Sequence, residues 1–399
     1  MDQRAGVPPP AVARGGFPVP VLALTMCAFC IGTAEFVVMG LLPNIAHDLS
    51  VSIPLAGQLV TAYAIGVVIG APILAVLTGR LQRKRVLLLM VGVFILGNFL
   101  SAISPDYFLL VFARVLAAFA HGTLFGVGAV VAADLVPPNR RASAIGLMFL
   151  GLTLANILGV PLGTLVGQEY GWRATFWAIT GLGIIALIPV WLLVPEIPAR
   201  PSKGMRHEFS VLRQPAVLLA IATTVFASAS VFAFFTYIVP LLEQVTGFTP
   251  SDVTLILFMI GVGLTIGITL GGRFADRGLM RALVVTLLLL GAITAAIALF
   301  ADSRWPMLVM VFLWSMAAFA PVSGLQARVV EEATAAPNLA SALNIGAFNL
   351  GNASGALLGG VLIDAGFSLR LVPVAAGVVA LAAVGTALLG GARDRRARP

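Results

Sequence analysis

Apolar runs of membrane-span length recur along the whole chain, separated by short polar segments. They cover roughly 19–42, 55–78, 86–104, 107–133, 142–165, 173–194, 215–241, 252–271, 282–301, 306–329, 340–363 and 371–391. About 20 largely apolar residues carry a helix across a hydrocarbon layer ~30 Å thick. Most runs are too long for strands, and the alternation of a lipid-facing barrel is absent. The pattern therefore predicts an all-α membrane protein with twelve transmembrane helices. The longest polar stretch between runs, "PEIPARPSKGMRHEFSVLRQP", divides them into two sets of six. The expected organisation is a flexible tail (1–18), a first six-helix bundle (19–194), a linker (195–214), a second six-helix bundle (215–391) and a basic tail (392–399).

Composition agrees with that class. Hydrophobic residues make up 60% of the chain and charged residues 10%, with a mean hydropathy of +1.05. A soluble domain carries roughly 25% charged residues, so this chain lacks the charge to cover a water-facing surface. The basic residues also set a direction. With the amino terminus inside, the outer loops hold only Arg173, Arg304 and Arg370, whereas the inner segments hold all other Lys and Arg except Arg114. Such asymmetry places both termini in the cytoplasm. It also explains the net charge of +8 as topology and contact with membrane lipids rather than nucleic acid. The run after residue 18 is longer than a signal h-region and lacks a clear small-residue cleavage site, so a removable signal is not expected. Cys27 and Cys30 form a C-x-x-C spacing inside a span. With only three His in the chain, they read as small lipid-compatible side chains rather than a metal or redox centre. No cofactor is expected.

The two sets of six resemble each other. "AAFA" occurs at 117–120 and 317–320, "ASAI" at 142–145 answers "ASAL" at 340–343, and "GRL" at 79–81 answers "GRF" at 272–274. The order is kept at nearly one offset, which argues for a duplicated six-helix unit and two pseudo-symmetric bundles. Transporters are commonly built this way, with the binding site between repeats near the midplane. Glycines concentrate within the runs, where they serve close helix packing, smooth faces for rocking, or both.

Several motifs resemble those of a known family. Gly272-Arg273-Phe274-Ala275-Asp276-Arg277-Gly278 resembles the loop motif of the major facilitator superfamily. Gly79-Arg80-Leu81-Gln82-Arg83-Lys84-Arg85 is its degenerate first-half counterpart, without the acidic residue. Arg114 stands where the family's fourth-span arginine is found, although Ala118 replaces a usual glycine. Gly159-Val160-Pro161-Leu162-Gly163 is similar to a shifted antiporter signature. Together with "EFVVMGLLPNIAHDL", "ARVLAAFAHG" and "NIGAFNLGN", these place the resemblance in the twelve-span drug/proton antiporter group, near the arabinose efflux permeases. The resemblance implies the major facilitator fold in a bacterial cytoplasmic (inner) membrane. It also implies a proton-coupled exporter, not an enzyme, working as a monomer on a small-molecule substrate such as chloramphenicol, a sugar or a nucleoside. A symporter or facilitator, or a membrane-embedded lipid-handling protein, are the other readings.

Of the sixteen acidic residues, only Glu35 lies well inside a span, and Arg114 is the only Lys or Arg that does. Counting from predicted ends at Leu42 and Tyr107, both fall about 10 Å below the outer surface. His121, seven residues beyond Arg114, shares its helix face. Charges in hydrocarbon pair with each other or face a cavity. Glu35 and Arg114 thus either neutralise each other and set packing, or Glu35 carries a proton. Loss of water favours the neutral form of an acid and a nearby guanidinium favours the carboxylate, so movement could switch it. His121 reads as cavity lining, proton relay or packing. Tyr63, Asn156, Phe235, Tyr237, Asn344 and Asn349 are candidates for a substrate cavity, although helix–helix hydrogen bonding is the commoner role for the Asn side chains, Asn352 included. An inner gate is expected from Gly79, Arg80, Arg83 and Asp134 in the first half. Its second-half counterpart comprises Gly272, Arg273, Asp276, Arg277, Glu331 and Glu332.

Overall fold

The computed structural model describes residues 19–78, 81–197, 214–333 and 337–397. Among them are twelve helical spans apolar and long enough to cross a membrane. They are Val19–Asp48, Ile53–Leu74, Arg83–Ala102, Tyr107–Asp134, Ser143–Tyr170 and Trp172–Leu193, then Pro215–Gln244, Pro250–Arg277, Leu279–Phe300, Arg304–Glu332, Leu339–Asp364 and Leu371–Arg393. The short connections between successive spans alternate between two ends of the bundle. Val19 and the last helix's end at Ala397 lie at the same one, called here the terminal end; the opposite is the distal end.

Several predicted boundaries moved outward, among them the ends of the first, fifth, eighth and last spans. The first span was expected to stop at Leu42, before Pro43, but the helix carries Pro43 internally and runs to Asp48. Proline removes one backbone donor, and a helix in a bundle interior tolerates that loss when its neighbours brace it. The last helix continues through "ARDRRA" to Ala397, into the segment expected as a basic tail, since no proline or glycine follows Gly391 until Pro399. The tail 1–18 and most of the linker (198–213) lie outside the described residues.

The first span is apolar on every side, and Cys30 to Leu42 are buried without interruption. A helix hydrophobic all round belongs in the interior of its bundle. It crosses the fifth span through glycine. A methyl group at Gly151 would lie 2.0 Å from the Thr25 carbonyl oxygen, and one at Gly159 would lie 2.0 Å from the Thr33 hydroxyl. The second half repeats this crossing: Gly351 of the eleventh span packs on Val225 and Ser228 of the seventh. Residues 151, 25 and 28 become 351, 225 and 228, each shifted by 200. A second crossing recurs as well. Gly66 and Gly70 meet Ala118 and Phe119, and Gly263 and Gly267 meet Ser315 and Met316, each shifted by 197. The fold is therefore two pseudo-symmetric six-helix bundles held by the same close contacts.

Three spans are interrupted. The fifth passes through a wide π turn, Ala155–Gly159, immediately before Pro161. A proline lacks the N–H that would continue the ladder, and one under-wound turn accommodates the loss. The seventh breaks between Phe235 and Ile238, and the tenth between Phe319 and Val322, where Pro321 intervenes.

The halves meet along two seams near the distal end. At one, the second span packs on the eleventh, where Thr61 donates to the Ala353 carbonyl at 3.4 Å. At the other, the fifth span packs on the eighth: Gln168 Nε2 donates to the Pro250 carbonyl (3.1 Å), and the Thr254 hydroxyl donates to Gln168 Oε1 (3.0 Å). Tyr237, at the break in the seventh span, closes the first seam. Its ring fills a slot walled by Gly57, Gly359 and Gly360, and its hydroxyl donates to the Ala356 carbonyl at 2.9 Å.

Candidate functional site

Glu35, Tyr63, Arg114 and His121 come together where the first, second and fourth spans meet, and all four are buried. The Arg114 guanidinium reaches the first span but does not take the Glu35 carboxylate. Its Nη1 donates to the Ala34 carbonyl at 2.6 Å and its Nη2 to the Glu35 carbonyl at 3.4 Å. The guanidinium carbon also lies 4.2 Å from the centre of the Tyr63 ring, a cation–π contact. Arg114 thereby clamps the backbone of the first span from the fourth.

The Glu35 carboxylate turns instead to His121, whose Nδ1 is 3.7 Å from Oε2. That same nitrogen lies 3.3 Å from the Tyr63 hydroxyl. One ring nitrogen thus faces two partners. Carrying a proton it can donate to the carboxylate; without one it can accept from Tyr63. The partner of His121 depends on where a single proton sits.

The estimate of matched depth used a first span ending at Leu42. The helix actually runs on to Asp48, yet Arg114 and Glu35 still meet, because the fourth span crosses the first at this level. What the sequence did not indicate is which atoms meet.

The group faces the other half. Glu35, Tyr63 and Arg114 look across a narrow crevice to Phe232 of the seventh span and Asn352 of the eleventh, with Val60 and Ala64 beside them. The crevice has no room for a water molecule, so it is closed in this conformation and a cargo requires it to widen. Phe232 belongs to an aromatic wall with Phe36, Phe235 and Trp314. Phe235 is buried in that wall rather than lining the crevice, and Tyr237 sits in its glycine slot nearer the distal end.

The Asn candidates divide by partner. Asn344 donates to Gln326 Oε1 at 2.7 Å and Asn349 to the Ile345 carbonyl at 3.0 Å, so both amide nitrogens serve helix contacts. Asn156 lies on the π turn and donates to the Leu152 carbonyl at 3.0 Å. Its backbone carbonyl is where Gly261 of the eighth span makes closest approach. None of these three lines the Glu35 crevice. Asn352 does, and its signal in the sequence was only a neutral polar residue in an apolar run. Gly159 and Gly163 face Thr33 and Val37, so the antiporter-like motif braces the helix that carries Glu35, and Pro161 is buried just beyond the π turn.

The gate candidates gather at the terminal end. Gly79 and Arg80 lie outside the described residues. Arg83 opens the third span, its backbone N–H donating to the Ile197 carbonyl at 3.0 Å. Asp134 closes the fourth span, half-buried. Gly272 to Arg277, read as a loop, form the last turns of the eighth span, with Arg273, Asp276 and Arg277 exposed. Glu331 is exposed, and Glu332 pairs with Arg328 one turn earlier at 2.6 Å. Among the described residues no group of three or more His, Cys, Asp or Glu could hold a metal ion, and Cys27 and Cys30 are buried free thiols.

Residues 24–343 match the sequence model of the Major Facilitator Superfamily. The chain belongs to this superfamily. It is a membrane transporter of the major facilitator class and not an enzyme. The inner membrane transport protein YdhP of Escherichia coli (strain K12) is 46% identical over 361 residues, covering 90% of this chain and 93% of that protein. A probable sugar efflux transporter of Helicobacter pylori (strain P12) is 31% identical over 343 residues, covering 86% and 88%. Among solved structures, a bacterial homolog of the human lysosomal transporter Spinster, inward-facing and unoccupied, superposes with a TM-score of 0.78. It shares 18% identity and covers 93% of this chain and 96% of that one, a likeness of fold.

Proposed function

We propose that this major facilitator exports a small organic compound by proton antiport and alternating access, with Glu35 as the proton carrier. The observation that carries the reading is the Glu35–His121 contact in a crevice shared by both halves. A titratable group costs free energy inside a membrane and is kept there when its protonation does work. Motion of the halves changes what covers Glu35, and so changes which of its two forms is favoured. His121 and Tyr63 offer the proton a second resting place, and Arg114 holds the first span at that level.

Export is favoured by the antiporter-like motif on the fifth span and by relatives named as efflux transporters. The cargo class is a sugar, a nucleoside or a drug such as chloramphenicol, since one carboxylate and few other charges suit a neutral or weakly cationic molecule. The basic residues of the terminal end assign that end to the cytoplasm, in a bacterial inner membrane. There Arg83 and Asp134 of the first half, and Arg273, Arg277, Glu331 and Glu332 of the second, would form the inner gate. The proton group and both walls of the crevice come from one chain, so the working unit is a monomer.

The test is accumulation of radiolabelled chloramphenicol or isopropyl β-D-thiogalactoside in everted membrane vesicles under an imposed pH gradient, interior acidic. Uptake into everted vesicles that collapses with a protonophore supports antiport. Accumulation only in right-side-out vesicles indicates symport instead.

A further inference from the structure

Asn352 is the polar residue that the second half presents to Glu35. It is 6% exposed and shares the crevice with Glu35, Tyr63 and Arg114. The Ser228 hydroxyl, itself buried, donates to the Asn352 Oδ1. With the oxygen occupied, the amide nitrogen is left with its N–H groups and no protein acceptor among the described residues. An amide N–H that borders a crevice without a protein acceptor is available to a ligand. On the first half's side, Arg114 Nε is a buried donor without a partner among the described residues. The Glu35 residue, whose carboxylate is an acceptor when ionised, lines the same crevice. The remaining walls, Val60, Ala64 and Phe232, are apolar.

From this arrangement we infer that Asn352, hydrogen-bonded to Ser228, is the second half's recognition residue for a neutral cargo bearing hydroxyl or carbonyl oxygen. The inference rests on the transport reading above and adds the cargo's chemistry and the residue that reads it. The cargo oxygen accepts from the Asn352 amide, its apolar face lies on Phe232, and a cargo hydroxyl donates to Glu35. An ionised carboxylate accepts that hydroxyl at either oxygen, whereas the protonated acid has one oxygen committed to its own proton. Cargo binding therefore favours release of the Glu35 proton, as exchange of cargo for proton requires. A large lipophilic cation without hydrogen-bonding groups makes none of these contacts and would bind without Asn352.

The experiment is calorimetric titration of the purified full chain in detergent with three probes: chloramphenicol, isopropyl β-D-thiogalactoside and tetraphenylphosphonium. The first two are neutral and carry hydroxyls, and the third has no hydrogen-bonding group. Wild-type protein is expected to bind at least one neutral probe. Asn352→Leu is expected to weaken it about tenfold, and Ser228→Ala about threefold, the size of one or part of one hydrogen bond. Any affinity for tetraphenylphosphonium should stay unchanged in both. Should Asn352→Leu fail to fold, Ser228→Ala decides alone. Equal affinity for the neutral probe in wild type and variants overturns the inference, as does failure of both neutral probes to bind. The proton reading is judged separately by pH-driven transport in Glu35→Gln. Loss of coupling there with unchanged binding in Asn352→Leu sinks this inference only; retained coupling there sinks the proton reading only.

Discussion

Glu35 and Arg114 touch without forming an ion pair: the guanidinium holds the Glu35 backbone carbonyl at 3.4 Å, and the carboxylate is left to His121 at 3.7 Å. The division separates two jobs that one salt bridge would have merged. The arginine fixes the helix, and the acid remains free to gain and lose a proton.

Glu35→Gln keeps shape and removes the charge change. The variant is expected to fold and to exchange cargo across the membrane while losing pH-gradient-driven accumulation. Efflux from reconstituted vesicles measures both. Wild-type accumulation by this variant would reduce Glu35 to a packing residue.

Arg114→Lys and Arg114→Ala should be damaging through structure. Lysine cannot reproduce a fork that reaches two carbonyls while its plane lies over Tyr63. Loss of these buried contacts should cost about 2 kcal/mol or more. It would appear as a lower unfolding temperature in detergent for both variants, larger for alanine.

Tyr63→Phe and His121→Gln probe the shared nitrogen. If the proton passes between Glu35, His121 and Tyr63, the two substitutions act on one pathway, and their effects on coupled transport should be strongly non-additive. Additive losses in a double-mutant cycle would make His121 a lining residue.

Tyr237 tests the distal seam. Gly360→Leu places carbon where the Tyr237 hydroxyl and Gln58 amide now lie, 2.7 and 2.9 Å from the new Cβ. The ring must leave its slot, so the distal side should open more often. The readout is faster labelling of a cysteine introduced at Gln58 by a membrane-impermeant maleimide. Tyr237→Phe, which loses only the bond to the Ala356 carbonyl, should show a much smaller rise.

Charge reversal at the terminal end tests the gate. Glu332→Arg combined with Asp134→Arg should slow transport and raise cysteine accessibility from the terminal side. The Arg328–Glu332 pair is largely covered, so reversal at Glu332 should also lower the unfolding temperature by several degrees, and the gate is judged by the accessibility readout.

The fold could be read from the sequence because membrane spans announce themselves by length and apolarity, and because Glu35 and Arg114 have no rivals deep in the spans. Atomic pairing could not be read in the same way. Whether Arg114 takes a carboxylate or a carbonyl depends on the rise and rotation of two crossing helices. Counting from Leu42 misjudged the rise once Pro43 proved to lie inside the helix. Asn352 could be named from the sequence but not told apart from its neighbours. Asn344, Asn349 and Asn352 look alike in sequence, and only the contacts of the eleventh span show that two amide nitrogens serve helix contacts and one opens onto the crevice.

The close approach of the fifth span to the first has a consequence for how such a protein diversifies. Gly151, Gly159 and Gly163 bring the two helices together with no side chain between to adjust, and Arg114 ties the fourth span to the same rail. Glu35, Arg114 and His121, the core of the proposed proton group, therefore sit on one inflexible chassis. Phe232 and Asn352 belong to the other bundle, so under the proposed reading substitutions there retune what is carried without disturbing the engine. A lineage of such proteins can acquire new freight by changing half of the molecule, and an engineer can do the same.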